Sequence, residues 1–313
     1  MTFREWHKFL SCIISLCLLL LAATCHKEPT DDDGGYEPPP TYPAGFDWSP
    51  SWNRTNNKIA YVHGNNDTTD TAYPSGIYVI NPDGGNRTRI FLSRRIIDLD
   101  WSPDGHWIVA NEHGLLLKIS YPDGIVDTLL RGSEYYYPAW SPDGSKIVCV
   151  VRAGQNGIYT HNADGSGRRL LIPYADYPVW YSPDSILYLN WAADFPSGSI
   201  CISDANGQNK RLVIHDSTND ILYFYNISAH FEKKRIAASA YIPGLTHYLY
   251  IYDMERKTLK RFLENADFPD FSPDGDSIVY TDIRFGYDNL NVICWDSTGW
   301  RQVTEPLGPL GGP

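Results

Sequence analysis

The sequence predicts an all-β fold, and more specifically a six-bladed β-propeller of four-stranded antiparallel blades. The 313 residues include 22 Tyr, 10 Trp, 25 Gly and 22 Pro against only 2 Met, a composition that favours strands joined by tight turns. Three near-copies of one phrase occur: "IIDLDWSPDGHWIV" at 96–109, "YYYPAWSPDGSKIV" at 135–148 and "ADFPDFSPDGDSIV" at 266–279. Successive repeats lie roughly 40 to 50 residues apart, which is about the length of a propeller blade.

Each repeat divides into four short strands separated by two kinds of turn. In the third repeat the strands are "EYYYPAW", "KIVCVV", "GIYTHN" and "RRLLI". Ser-Pro-Asp-Gly lies between the first two and suits a type I turn, because Pro presets φ at the second position and Gly follows at the fourth. The other turn recurs along the chain as "NPDGG", "NADG" and "DSTG". Two punctuated hairpins in each repeat indicate an antiparallel blade.

Alignment of the repeats on their Ser-Pro element defines the number of blades. The aligned anchor positions are Trp48, Trp101, Trp140, Tyr181, Ile227 and Phe271. Six repeats fill residues 46–304 and leave no room for a second domain within that range. Because the range begins on a first strand and ends on a fourth, we expect the first and last blades to meet without exchanging a strand.

The segments outside the repeats have a different character. Residues 1–24 combine a basic start, an apolar stretch and small residues before Cys25, as in a lipoprotein signal peptide. We expect lipidation of Cys25, with an ordinary signal peptide followed by a stray cysteine as the alternative. Residues 25–45 are acidic and rich in Pro and Gly, which is typical of a solvated tether. Residues 305–313 are expected to form a flexible tail.

Beyond their spacing, the repeats carry a family likeness. "DLDWSPDGHWIVA", "YPAWSPDGSKIVCV" and "FPDFSPDGDSIVYTD" resemble the WD-like repeats of TolB-type six-bladed β-propellers, over about 260 residues. The resemblance implies the propeller fold. It does not extend to TolB itself, which carries an additional N-terminal α/β domain where a tether is expected here. Similar repeats occur in the noncatalytic propellers of prolyl-oligopeptidase-type peptidases and in some polysaccharide lyases.

The sequence offers few motifs for catalysis or metal binding. It contains no Gly-x-Ser-x-Gly, His-Glu-x-x-His or Cys-x-x-Cys motif, and its nine His are dispersed, although a propeller channel could gather distant His. Cys149, Cys201 and Cys294 lie in apolar strands and are expected to be core residues without disulfides. The formal net charge of −11 argues against a nucleic-acid surface. We therefore predict no cofactor, no metal site and no catalytic residue.

A partner surface is expected where the b-to-c and d-to-a loops emerge, because the repeats vary most there. These loops mix aromatic residues with Asp, Asn and Arg, as protein interfaces and saccharide sites do. The predicted contact residues are Tyr136, Tyr137, Tyr174, Tyr177, Trp191, Phe195, Tyr241, Arg284, Phe285 and Tyr287. For Tyr137 and Tyr177, packing between neighbouring blades is the alternative, since each precedes the Pro of a first strand.

Together these features predict a non-catalytic propeller, exported and held at the outer membrane through Cys25, that serves as a protein-protein interaction or scaffolding module. Its partner would be an envelope protein or a glycan, not a nucleic acid, and the chain is expected to be monomeric. The alternative is a carbohydrate-binding protein or a carbohydrate-active enzyme of lyase or hydrolase type that uses the same face. Clustered His or paired carboxylates about 5 to 9 Å apart at the channel mouth would favour the enzyme.

Overall fold

Each repeat of the sequence folds into one antiparallel sheet whose four strands follow one another along the chain. The computed structural model describes residues 45–65, 73–132, 134–215, 223–241, 246–284 and 288–304. These ranges hold twenty-four β-strands in six sheets. Over the same ranges there is no helix of the length and apolarity that a membrane span needs. The predicted all-β propeller with six four-stranded blades is confirmed.

The strands are named a to d from the channel outwards, in chain order within each blade. The a strands are β1 (Gly45–Trp52), β5 (Ile96–Trp101), β9 (Tyr135–Trp140), β13 (Ala175–Ser182), β17 (Tyr223–His230) and β21 (Ala266–Phe271). The b strands are β2 (Ile59–Asn65), β6 (Trp107–Glu112), β10 (Lys146–Val151), β14 (Ser185–Asn190), β18 (Arg235–Tyr241) and β22 (Ser277–Asp282). The c strands are β3 (Gly76–Ile80), β7 (Leu115–Ser120), β11 (Gly157–Asn162), β15 (Ser199–Asp204), β19 (His247–Asp253) and β23 (Asn289–Cys294). The d strands are β4 (Thr88–Leu92), β8 (Val126–Arg131), β12 (Arg169–Pro173), β16 (Arg211–Ile214), β20 (Thr258–Glu264) and β24 (Arg301–Gln302).

The a strands form a closed ring, since each contacts the a strand of the next blade and β1 contacts β21. Strand β24 pairs with β23, so blade 6 is completed by its own d strand, as predicted. The seam between blades 6 and 1 is therefore held by side chains and isolated hydrogen bonds. One such bond runs from the N–H of Asp47 to the carbonyl of Asp288 at 2.6 Å.

The hydrophobic core consists of six clusters, each shared by two neighbouring blades. The cluster between blades 1 and 2, for example, packs Val62 and Ile77 against Trp101 and Ile108. All four side chains are at most 4% exposed. The b and c strands, such as β2 and β3, are almost continuously buried because both of their faces meet a neighbouring blade, and period-two alternation is therefore weak in them. The d strands, such as β20, are largely exposed. In the described residues the three cysteines are free, and Cys149 and Cys201 are fully buried core residues, as predicted.

The Ser-Pro-Asp-Gly turns follow one hydrogen-bonding scheme. In blade 3 the hydroxyl of Ser141 donates to Asp143 Oδ1 at 2.6 Å and accepts the N–H of Lys146 at 2.9 Å. The N–H of Gly144 closes the turn on the carbonyl of Ser141 at 2.8 Å. Gly144 has a φ of +71°, which explains the preference for glycine at this position. Blades 2 and 6 repeat the scheme with Ser102 and Ser272.

Strand pairing corrects three of the six aligned anchors. Trp140 pairs with Ile147 at the start of its b strand. The residues that pair with the corresponding isoleucines, Ile59, Ile186 and Ile236, in blades 1, 4 and 5 are Trp52, Trp180 and Ala229. The predicted anchors Trp48, Tyr181 and Ile227 are therefore wrong by four, one and two residues. In blade 1 the Ser-Pro pair at 49–50 belongs to a β-bulge inside strand a, not to the following turn. The sequence alone does not separate the two cases, because both the bulge and the turn contain a residue followed by Pro.

The bulge in strand a recurs around the ring. Its first residue, three positions before the anchor, has positive φ in five blades: Ser49, Tyr137, Tyr177, Asn226 and Phe268, with φ between +43° and +50°. A non-glycine residue in this region stores on the order of 1 kcal/mol of strain. Because five blades share the conformation, we attribute it to the architecture of strand a and not to one special site. Each bulge aims its side chain toward the channel.

Candidate functional site

The six a strands enclose an axial cavity of about 390 Å³. Two tiers of side chains line it. The upper tier holds the bulge residues, nearer the face that carries the d-to-a and b-to-c loops, which we call the loop face. Its members are Ser49, Asp98, Tyr137, Tyr177, Asn226 and Phe268. The lower tier lies two residues further along each strand and contains Ser51, Asp100, Ala139, Val179, Ser228 and Asp270.

The lower-tier carboxylates bind neighbouring blades together. Asp100 of blade 2 accepts the hydroxyl of Ser51 from blade 1 at 2.9 Å and the N–H of Trp140 from blade 3 at 2.8 Å. Asp270 of blade 6 likewise accepts Ser228 of blade 5 at 2.7 Å and the N–H of Trp52 of blade 1 at 2.6 Å. Both oxygens of each carboxylate are thus engaged. These two Asp side chains are structural ties between blades.

The carboxylates of the channel are hard to ionise. Burial is the main reason that the pKa of Asp100 is raised to about 7, and the nearby charges of Asp270 and Asp98 contribute to this rise. Burial also raises the pKa of Asp98 to about 7, against the hydroxyl of Ser49 that favours the carboxylate. Among the described lining residues the one cation is Arg54, at the opposite, turn-bearing end of the channel. Its Nη2 donates to the carbonyl of Ala229 at 3.1 Å.

Aromatic side chains form an arc on the loop face across blades 3, 4 and 5, which we call the tyrosine arc. The rings of Tyr137 and Tyr177 stack with centroids 3.9 Å apart, and their hydroxyls share a hydrogen bond of 2.9 Å. The ring of Tyr225 follows 6.4 Å from Tyr177. Its hydroxyl bonds His247, whose ring lies 5.2 Å from that of Tyr241. At the other end, Arg152 lies over Tyr136 and pairs with Asp176 at 3.1 Å.

The structure brings four of the predicted contact residues into this arc: Tyr136, Tyr137, Tyr177 and Tyr241. Tyr137 and Tyr177 pack between blades and also line the cavity. Their role in binding stays a prediction.

The remaining predicted residues lie outside the arc or outside the described ranges. Trp191 and Phe195 are half-buried and pack against the cores on either side of blade 4. Tyr174 is 51% exposed just before strand β13. The guanidinium of Arg284 is held by Asp282, with Nε 2.9 Å from Oδ1, so it is occupied by a partner in its own chain. Phe285, Tyr287 and Cys25 lie outside the described residues.

Several site residues escaped the sequence analysis. The sequence signal for three of them is their position in the repeat. Asp100 in "DLDW" and Asp270 in "FPDF" directly precede an anchor, and Asp98 lies three positions before one. Tyr225 and His247 come from blade 5, where the motif is absent, whereas Asp267 lies within the well-preserved repeat of blade 6. His247 Nδ1 lies 3.8 Å from Asp267 Oδ2, and Asn226 donates to Asp267 Oδ1 at 2.9 Å.

No group of three or more His, Cys, Asp or Glu side chains in the described part of the chain is arranged to hold a metal ion. The acidic side chains near the seam have other partners: Asp47 bonds His63 at 2.6 Å, and Asp282 holds Arg284. Burial and then the charge of Asp267 raise the pKa of nearby Asp288 to about 7.

Comparison with solved structures places this architecture among known propellers. The structure of TolB from Acinetobacter baumannii aligns with a TM-score of 0.66 at 16% identity, over 80% of this chain and 64% of that one. The fold is that of a TolB-like six-bladed β-propeller. Putative TolB from Agrobacterium tumefaciens aligns with a TM-score of 0.61 at 17% identity, over 72% of this chain and 87% of that one. An oligogalacturonate lyase in complex with manganese aligns with a TM-score of 0.57 at 11% identity, over 84% of this chain and 78% of that one.

This TolB-like chain spans about 64% of the length of the Acinetobacter protein. No protein-family profile and no curated protein sequence matches it. At these identities the likeness establishes the fold alone.

Proposed function

We propose that this TolB-like propeller is a non-catalytic protein-binding module that receives its partner on the loop face, at the mouth of the axial channel. The observation that carries the proposal is the tyrosine arc, a set of preorganised aromatic side chains next to an open cavity. Tyr supplies large contact area at low entropic cost and dominates binding energy at interfaces. The stacking and hydrogen bonds within the arc hold these rings in place before a partner arrives.

The lower-tier carboxylates support a binding role over a catalytic one. A general acid-base pair needs oxygens free to reach the substrate. Both oxygens of Asp100 and of Asp270 are instead bonded to neighbouring blades. We further propose that the chain is exported and anchored to the outer membrane through Cys25, so that the partner is a protein of the bacterial envelope, and that the propeller acts as a monomer.

The test is capture from solubilised envelope by the full-length chain, followed by affinity measurement with the purified partner. The loop-face variant Tyr136→Ala, Tyr241→Ala is compared with a control, Phe231→Ala, Trp300→Ala. The control residues are 47% and 52% exposed and lie at the opposite, turn-bearing end of the blades. We expect the loop-face variant to lose about 2 kcal/mol or more of binding free energy and the control to match wild type. Equal binding by both variants would refute the placement of the site.

A second candidate, carbohydrate binding or turnover on the same face, is favoured by one group of side chains. The Tyr225 hydroxyl, His247 and Asp267 meet beside the tyrosine arc, and burial followed by the charge of Asp267 raises the Tyr225 pKa. Aromatic surfaces next to hydrogen-bonding groups suit sugars, and solved relatives in fold include oligogalacturonate lyases. Incubation with polygalacturonate and with envelope glycans would favour this candidate if unsaturated products appear and Tyr225→Phe abolishes them.

A further inference from the structure

The upper tier of the channel contains one carboxylate that differs from the others. Asp98 Oδ1 accepts the hydroxyl of Ser49 and the N–H of Leu99. Asp98 Oδ2 has no hydrogen-bond partner among the described residues, and Asp98 lines the cavity. In contrast, every oxygen of Asp100 and Asp270 is bonded to a neighbouring blade. The position of Oδ2 leaves one strong acceptor available to a ligand inside the channel.

On the side of blade 3, the wall next to Asp98 is aromatic. Tyr137 of the next blade belongs to the same tier. Burial is the main reason that its pKa is raised, and Asp98 is close enough for its charge to contribute. Tyr137 stacks on Tyr177, and Ala139 and Val179 lie below them in the lower tier. The cavity thus has a polar wall from blades 1 and 2 and an apolar wall from blades 3 and 4. Its volume of about 390 Å³ is ample for one long side chain.

The chain already places a guanidinium at the other end of this cavity. Arg54 reaches from blade 1 to the carbonyl of Ala229 in blade 5, and its charge favours the ionised form of Asp270. No described lining residue supplies a matching cation for Asp98 and Asp100. The upper tier is therefore short of positive charge and has an apolar surface against which an alkyl stem could pack. Lysine and arginine combine such a stem with a charged head.

We propose that the upper tier binds a lysine or arginine side chain from the protein partner, with its stem along Tyr137 and its charged head on Asp98 Oδ2. The inference rests on the proposed function and specifies the chemistry of the partner. A charge-assisted hydrogen bond in a partly enclosed site contributes more than a neutral one and fixes the register of the partner segment. The loop face would supply most of the contact area, and the channel would select for a basic residue.

The experiment selects binders to the full-length chain from a library of short random-sequence linear peptides. We expect the selected peptides to share a Lys or Arg. Replacing that residue by Met in a synthetic peptide is expected to weaken Kd about ten- to a hundredfold, as is Asp98→Asn in the protein. Asp98→Asn keeps an acceptor for Ser49 and for the N–H of Leu99. The matched control is Asp127→Asn, which makes the same charge change on the exposed d strand of the same blade and should bind like wild type.

Three results would overturn the inference: no selected peptides, selected peptides without a basic residue, or equal affinity for wild type and Asp98→Asn. The peptide with Met in place of its basic residue tests the idea on wild-type protein, so a poorly folded variant cannot decide the matter. An envelope partner that is lost from the loop-face variant yet binds Asp98→Asn normally would preserve the proposed function and reject the channel site. If both the loop-face variant and Asp98→Asn still capture the partner, the proposed function is rejected.

Discussion

At the scale of single residues, a channel carboxylate joins neighbouring blades by hydrogen bonds, while its burial disfavours its own ionised form. Asp100 joins blades 1, 2 and 3 through its two oxygens, yet burial raises its pKa to about 7, above the unfolded value of about 3.9. The folded state therefore holds the proton more tightly than the unfolded chain. The stabilising contribution of this group is complete below about pH 4 and is lost as the pH rises through about 7.

We expect Asp100→Asn to stabilise the propeller most at about pH 8 and by about a third as much at about pH 5. The amide oxygen of Asn can accept the N–H of Trp140, and its NH₂ can donate to Ser51, without a buried charge. A shift of this size corresponds to roughly 4 kcal/mol at most, and a discount for solvent screening leaves about 1 to 2 kcal/mol. The check is urea unfolding of both proteins at both pH values. Because His161 is present in both, its pKa of about 4, lowered by burial, cancels from the comparison. A larger gain at the lower pH would contradict the assignment.

At the scale of secondary-structure elements, the a-to-b turn owes its stability to one serine hydroxyl. In blade 3 the side chain of Ser141 is only 3% exposed and both donates to Asp143 and accepts the N–H of Lys146. The hydrogen bond from Ser141 is the main reason that the pKa of Asp143 is lowered. The same hydroxyl scheme in blades 2 and 6 explains why the sequence repeats Ser and Asp together.

Ser141→Ala is expected to reduce the free energy of unfolding by about 1 to 3 kcal/mol, because the N–H of Lys146 loses its acceptor. Ser145→Ala in the same turn is the matched control. Among the residues that the structure describes, its exposed hydroxyl bonds Asp143 alone, at 2.9 and 2.8 Å, and its loss should cost less than about 0.5 kcal/mol. Equilibrium urea denaturation measures both values, and similar losses in the two variants would show that the buried hydroxyl has no special role.

At the scale of the whole molecule, the ring closes without covalent continuity between blades 6 and 1. The cluster at this seam contains Trp52 and Tyr61 from blade 1 and Leu290 and Val292 from blade 6. The other interfaces have similar clusters, but the chain also connects their blades. Because no chain connection reinforces the packing between blades 6 and 1, we expect local opening to begin at this seam.

Leu290→Ala at the seam and Leu187→Ala between blades 4 and 5 form a matched pair, since both leucines are fully buried. Each substitution should cost about 2 to 5 kcal/mol. We expect Leu290→Ala to accelerate amide hydrogen exchange chiefly in blades 1 and 6, whereas Leu187→Ala should produce no such local opening at the seam. Exchange measured by mass spectrometry distinguishes the two patterns. Identical patterns would indicate that the ring opens only by global unfolding.

The sequence by itself determined the number of blades, the order of strands within each blade and the turns between them. These features are local. The turn in blade 3, for example, depends on Ser141, Asp143 and Gly144, which interact within a few residues, so the sequence of the turn is enough to predict it. It also indicated the loop face and four members of the tyrosine arc. Only the tertiary structure decided the rest. The correct anchors, Trp52, Trp180 and Ala229, depend on pairing with strand b, which a bulge shifts. The channel tiers bring together Asp98, Tyr137 and Asp270 from three blades, because closing the ring places residues far apart in sequence around one axis.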